Sequence, residues 1–412
     1  MSSLLIKNIG LLQTPAGSFS HKGKTQGENL KLRDAAVLIK DGIIQAITDG
    51  GKLPCMPEEA ETVVDAEGKL VTPGLVDGHT HMVFGGYRQN EISLKLKGAG
   101  YLDILRAGGG IMDTVRKTRE ASFEELYDKT QGFLDEMMCL GVTTCEAKSG
   151  YGLELETEVK LLEVIERLNA DHPMDIVATF MPAHAVEEKW KGHEEDYIRL
   201  CCDEMMPYVR ERNLAEFCDI FTEASVFNAE QSEIYMKKAK ELGFGLKIHA
   251  DEIEAIGGSL LAGKMKAASA EHLIVIDEAG LEALSEGGVT AMCLPATSFY
   301  LGAGFAPVRK MIDDFEIPVA MASDFNPGSC PSLNMQLVIN LGYLKYRMTP
   351  EEILTAVTIN PACAINRGDK TGTLEVGKQG DLVVWDAPDM ETLCYRFGSN
   401  LAVQTVKKGI LV

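Results

Sequence analysis

Apolar strand-like runs alternate with helix signals between residues 74 and 322. That rhythm predicts an α/β fold on eight strands, closed as a TIM-like (β/α)8 barrel or open as a doubly wound sheet. Residues 1–70 and 371–412 have another texture, short strands punctuated by glycines, and neither end is long enough to bury a sheet face alone. They predict one small β-sandwich domain formed by both termini, with the α/β unit at 71–370 inserted between its halves. A chain of 412 residues, 45% hydrophobic, has material for such a two-unit architecture.

In chain order, the first strands are read at 4–6, 36–39, 43–47 and 62–65, with Asp41-Gly42 as a hairpin turn between the second and third. The inserted strands are read at 74–81, 142–145, 175–181, 217–221, 246–248, 268–271, 289–294 and 318–322. Helix starts lie between them. Ser122 with Glu125 forms a capping box for a helix that stops at Gly141, Asn228 with Gln231 opens another, and Thr349-Pro350-Glu351-Glu352 a third. The terminal texture returns at 374–376, 381–385 and 403–406, with Gly377, Gly380 and Gly409 as breaks.

The charge balance, 40 Lys and Arg against 61 Asp and Glu for a net −21, argues against nucleic acid or an anionic membrane as partner, since both need a basic footprint. The first 30 residues hold no basic segment followed by an apolar run, and no apolar stretch approaches the ~18 residues of a membrane span, so the expected location is the cytoplasm. Ten scattered cysteines without C-x-x-C spacing, several in apolar stretches such as Met137-Met138-Cys139-Leu140 and Met292-Cys293-Leu294, read as reduced, buried thiols, not as a disulfide framework or a thiolate zinc site.

In a barrel the chemistry sits where strands end, and four of the predicted strands end in metal-competent residues. His79 and His81, at i and i+2, point to one face of a strand and can chelate one ion. His249 closes an apolar strand with Glu252 three residues later, His272 follows Glu271, and Asp324 stands in Ser323-Asp324-Phe325-Asn326-Pro327-Gly328. Taken singly, each has an ordinary explanation: a core histidine satisfied by hydrogen bonds, or a turn aspartate. Their conjunction on the expected first, fifth, sixth and eighth strands points to a site. His21, His172 and His193 lie in polar loop contexts and are expected at the solvated surface; His184, ending the third strand, is intermediate.

The strand-one run Pro73-Gly74-Leu75-Val76-Asp77-Gly78-His79-Thr80-His81 and the run 372–384 resemble the amidohydrolase superfamily. More narrowly, Glu146-Ala147-Lys148-Ser149-Gly150-Tyr151-Gly152-Leu153, Met181-Pro182-Ala183-His184 and Ser323-Asp324-Phe325-Asn326-Pro327-Gly328-Ser329 resemble the imidazolonepropionase family, and the likeness spans nearly the whole chain. The resemblance implies a barrel with a flanking β-sandwich that hydrolyses 4-imidazolone-5-propanoate to N-formimidoyl-L-glutamate in histidine degradation, a metal-activated water attacking a cyclic amide carbonyl. It implies one divalent or trivalent metal ion, zinc or iron, held by His79, His81, His249 and Asp324. His272 would orient the water and polarise the carbonyl, Glu252 would carry the proton to the leaving nitrogen, and Asp324 could share that shuttle. Arg88 would grip the substrate carboxylate, which a protein of charge −21 must receive on a local cation. Tyr151, His184, Asn326, Gly328 and Ser329 would also touch substrate, as would Tyr101, after a Gly98-Ala99-Gly100 segment read as a mobile lid. The predicted strand four carries no lysine to bridge two metals, which favours a single ion, and Lys148 is read as structural or as ordering the Ser149-Gly150-Tyr151 loop. A homodimer is the superfamily-level expectation. The rival readings are a deaminase of the same superfamily and a non-catalytic scaffold on the same barrel.

Overall fold

The computed structural model describes residues 3–97 and 109–412, so Tyr101 and Gly98-Ala99-Gly100 lie outside the described residues. The chain opens with β1 (Ser3–Thr14), β2 (Leu30–Lys40), β3 (Ile43–Thr48), β4 (Thr62–Asp65) and β5 (Leu70–Pro73). Antiparallel pairing runs β1 to β2 to β3, while β4 and β5 lie parallel to the first and second halves of β1. Asp41 (φ 50°) and Gly42 (φ 80°) are both left-handed, the backbone a two-residue hairpin needs to match strand twist.

The barrel strands follow as β6 (Leu75–Asp77), β7 (Val142–Lys148), β8 (Asp175–Ala183), β9 (Phe217–Thr222), β10 (Gly245–Ala250), β11 (Ser269–His272), β12 (Thr290–Cys293) and β13 (Val319–Met321). They are parallel neighbours in sequence order. The last meets the first just past their ends: Thr80 bridges Phe325, Asp324 N–H donates to His79 O at 3.1 Å, and His81 N–H donates to Phe325 O at 2.9 Å. Buried Asp77 adds to this seam by accepting the Ser323 N–H (3.0 Å) and hydroxyl (2.5 Å). An open doubly wound sheet would reverse its strand order at a switch point; this ring closes as a barrel.

Helices cover the barrel outside. The helix Phe123–Cys139 starts with the predicted capping box, Ser122 Oγ accepting Glu125 N–H and the Glu125 carboxylate accepting Ser122 N–H, and Gly141 follows it at φ 96°. Asn228 and Thr349 cap their helices in the same way. After the barrel, β14 (Leu382–Trp385), β15 (Ala402–Lys407) and β16 (Ile410–Leu411) return to the first sheet, β14 pairing with β5. The sandwich core is apolar, with Leu4, Ile6, Ile9, Val37, Ile39, Leu382 and Val406 buried together. Lys407 joins the two units: its ammonium lies 2.7 Å from Asp381 of the sandwich and 2.8 Å from Asp175 of the barrel.

Several expectations are corrected. Residues 374–376 form no strand, because Leu374 N–H goes to Thr14 Oγ1 and Gly377, at φ 96°, turns the chain instead of extending it. His21 is buried, its ring bonded to Ala16 O and Thr25 O, and His172 is buried with Asp135 at 3.2 Å; local polarity did not reveal that tertiary packing covers both. His193 is exposed as expected, and all ten cysteines are free thiols; seven are buried as expected, but Cys55 and Cys363 are only partly so and Cys139, the last residue of its helix, is exposed. No helix among the described residues is long and apolar enough to cross a membrane.

Candidate active site

The C-terminal ends of the barrel strands bring His79, His81 and His249 together, buried, with ligand atoms within 4.8 Å of one another. The hydrogen-bonding of the rings fixes which nitrogens face inward. His79 Nδ1–H donates to Glu271 Oε2 at 3.0 Å and His249 Nδ1–H to Asp219 Oδ1 at 3.1 Å, so each presents an Nε2 lone pair to the centre. His79 Nε2 has no hydrogen-bond partner, and His81 Nε2 stands 3.3 Å from His249 Nε2. Asp324 completes the cluster, with Oδ1 3.5 Å from His79 Nε2 and 3.7 Å from His81 Nε2, and Oδ2 held by the Thr297 hydroxyl at 2.6 Å. Lone pairs that converge in a buried pocket suit a cation between them, so this group could hold a metal ion.

A charged layer lies beneath the histidines. Lys148 Nζ is 2.8 Å from both Glu146 and Asp219, and Lys247 Nζ is 3.1 Å from Glu146 and 3.9 Å from Glu271, all with buried side chains. Two ammonium groups thus offset three carboxylates, two of which orient the imidazoles. Burial would raise the Asp219 carboxyl, but the hydrogen bond from His249 Nδ1–H and the Lys148 ammonium outweigh it and hold the group well below the usual range. Burial first, and then the charge of Lys148, pushes His79, His81 and His272 well below the ordinary imidazole value, which keeps these rings neutral.

His272 and Glu252 face each other at the rim, Nε2 to Oε2 at 3.6 Å, and the His272 ring lies 5.3 Å from that of His249. Burial, and then the charge of Asp324, raises the Glu252 carboxyl to about 7. Backbone strain concentrates in this region: Asp251 (φ 53°), His272 (φ 70°), Leu273 (φ 59°) and Asp324 (φ 53°) are non-glycine residues in the left-handed region.

On the opposite side, His184 stacks on His81 with centroids 4.5 Å apart, its Nδ1–H donating to Gly150 O at 3.1 Å, and burial lowers it to about 3. Tyr151 packs against both rings and is itself buried. The Arg88 guanidinium is braced by Glu91, Nε to Oε1 at 2.7 Å and Nη2 to Oε2 at 3.1 Å, which leaves its Nη1 side to face Gly328. Asn326 shapes the adjoining turn, its Oδ1 accepting the N–H groups of Gly328 (2.8 Å) and Ser329 (2.7 Å).

The amidohydrolase family matches residues 70–411, which takes in the whole barrel and every residue of this cluster. The chain belongs to the amidohydrolase family. Within it, the full chain is 48% identical to an imidazolonepropionase of Alkaliphilus metalliredigens over 98% of that protein. An imidazolonepropionase of Streptococcus pyogenes is 49% identical over 92% of this chain and 90% of its own. Among solved structures, Escherichia coli guanine deaminase superimposes with a TM-score of 0.75 at 16% identity, covering 100% of this chain and 99% of its own. A triazine hydrolase variant gives 0.74 at 16% identity over 99% of this chain and 94% of its own. Those two likenesses are of fold.

In this amidohydrolase the structure gathers the sequence-predicted residues around the imidazole cluster, Tyr101 excepted as undescribed. Lys148, read from the sequence as structural, pairs with Glu146 and Asp219 beneath the imidazoles; the other supporting partners were missed: Glu271, Asp219 and Lys247 under the imidazoles, Thr297 on Asp324, and Glu91 on Arg88. A signal existed for some of them, since a charged residue inside an apolar strand, as in Phe217-Cys218-Asp219-Ile220-Phe221, demands a buried partner. Which partner, the sequence does not say.

Proposed function

We propose that this amidohydrolase opens the ring of 4-imidazolone-5-propanoate, adding water across the cyclic amide to give N-formimidoyl-L-glutamate in histidine degradation. The observation that carries the reading is the conjunction, in a chain about half identical to imidazolonepropionases, of the imidazole cluster with an arginine at its mouth. We assign the metal to His79, His81, His249 and Asp324. Three imidazoles and one carboxylate suit zinc or iron better than magnesium or calcium, which prefer all-oxygen shells. Such an ion, when bound, supplies the Lewis acidity that makes water nucleophilic near neutral pH.

The chain's own groups do the rest. His272, kept neutral, orients the attacking water and donates to the carbonyl oxygen as charge grows there. Glu252, poised near 7, takes a proton from the water side and returns it to the departing ring nitrogen, which would otherwise have to leave as an amidine anion. Arg88, aimed by Glu91, binds the propionate beside Gly328 and Ser329, while Tyr151 and His184 line the pocket and exclude water. A homodimer and a cytoplasmic location complete the proposal. Exposed Phe299, Tyr300, Leu301, Tyr343 and Leu344 support the first, and ten free thiols the second.

The test joins metal analysis to a product assay. About one zinc or iron per chain, with loss of the substrate's ultraviolet absorption and no ammonia, is the expected result. Stoichiometric ammonia would mark a deaminase and refute the proposal.

A further inference from the structure

Glu223, the residue after β9, is a carboxylate only 1% exposed, and what it accepts is backbone. Its Oε1 takes the N–H groups of Ala224 (2.9 Å) and Glu254 (3.2 Å), and its Oε2 those of Ile253 (2.9 Å) and Glu254 (3.3 Å). The acceptor is itself anchored: Glu223 N–H donates to Phe227 O at 3.0 Å, Val226 N–H donates to Glu223 O at 2.9 Å, and Thr222 bridges Phe227. One strand end therefore reaches across to the loop that leaves the next strand.

That loop carries Glu252. Residues 251–257 belong to no helix or strand, and Asp251 enters the loop at φ 53°, a conformation that costs a non-glycine residue energy and persists only where its surroundings impose it. The contact of Glu252 with His272, at 3.6 Å, is too long to hold its side chain by itself. The two peptide N–H groups that immediately follow Glu252 are the ones Glu223 holds, and a carboxylate accepting peptide N–H groups makes a charge-assisted, directional clamp.

We propose that Glu223 is a positioning residue for Glu252, its carboxylate fixing the 252–254 backbone so that Glu252 faces His272 and the imidazole cluster. The inference rests on the reading of Glu252 as the proton carrier, and the test separates the two. Glu223→Gln turns an amide donor toward peptide donors while keeping the side-chain size. In the metal-loaded protein, kcat for imidazolonepropionate falls about 10- to 100-fold, KM stays within threefold, and metal content and melting temperature stay near wild type. Glu223→Asp, which keeps the charge but retracts the oxygens, gives an intermediate kcat and covers the case in which the glutamine variant folds badly. In a Glu252→Gln background, adding Glu223→Gln causes no further loss, because the group being aimed is already gone.

Full additivity of the two substitutions overturns the proposal, as does an unchanged kcat in Glu223→Gln or a loss that merely follows metal content or folded fraction. If Glu252→Gln alone keeps full kcat, the proton-carrier reading fails and takes the positioning role with it. If Glu252→Gln is crippled and Glu223→Gln is not, the positioning role alone fails.

Discussion

Gly328→Ala tests the substrate side with a single methyl group. An added Cβ at residue 328 would lie 2.2 Å from Arg88 Nη1 and 3.0 Å from its Cζ, against roughly 3.5 Å for a relaxed contact. The guanidinium must retreat by about 1 Å, and because it ends a flexible side chain it can do so without moving the backbone. The retreat breaks the alignment set by Glu91 at 2.7 and 3.1 Å, so the arginine no longer meets the substrate carboxylate squarely. One charge-assisted hydrogen bond is worth ~1.5–3 kcal/mol, which at ~1.4 kcal/mol per tenfold predicts a KM raised roughly 10- to 150-fold. Steady-state kinetics by ultraviolet loss should show that rise with kcat within a few-fold, since this binding is shared by ground and transition states, and the melting temperature should hold. An unchanged KM would refute the carboxylate clamp. A drop in melting temperature together with kcat would show that Gly328 serves the fold instead.

Three further outcomes are expected. Asp219→Asn leaves an acceptor for His249 Nδ1–H but sets an amide donor against Lys148, and should weaken metal affinity about 10- to 100-fold in a chelator competition; affinity within threefold of wild type would contradict the orienting role. His272→Ala should lower kcat by about 100-fold or more with metal content unchanged, whereas loss of metal would make His272 a ligand. Lys129, whose ammonium bonds Phe84 O at 3.2 Å, is pushed down to about 8 by burial and by Lys117. Between about 8 and 10.5 the unfolded chain then binds more protons at this site than the folded one, so wild type should gain stability relative to Lys129→Met as pH rises through that window. Parallel melting curves at all pH values would rule that shift out.

The sequence by itself determined the strand and helix rhythm, because side-chain periodicity and helix caps are local: Ser122 with Glu125, Asn228 with Gln231 and Thr349 with Glu352 cap the helices their spacing announced. It also singled out His79, His81, His249, His272 and Asp324, since metal-competent residues at strand ends stand out against apolar runs. Ring closure was beyond it, because the same alternation serves an open sheet, and the seam from Thr80 to Phe325 joins residues 245 positions apart. So was burial that comes from distant packing, as at His21 and His172. Only the tertiary structure decided which charges meet: Lys148 with Asp219, Glu271 with His79, Glu223 with the backbone after Glu252. Metal-binding chemistry was legible as residue type at strand ends. The orientation of those residues was not, because a carboxylate aims an imidazole or a peptide through distance and angle, which one-dimensional spacing does not encode.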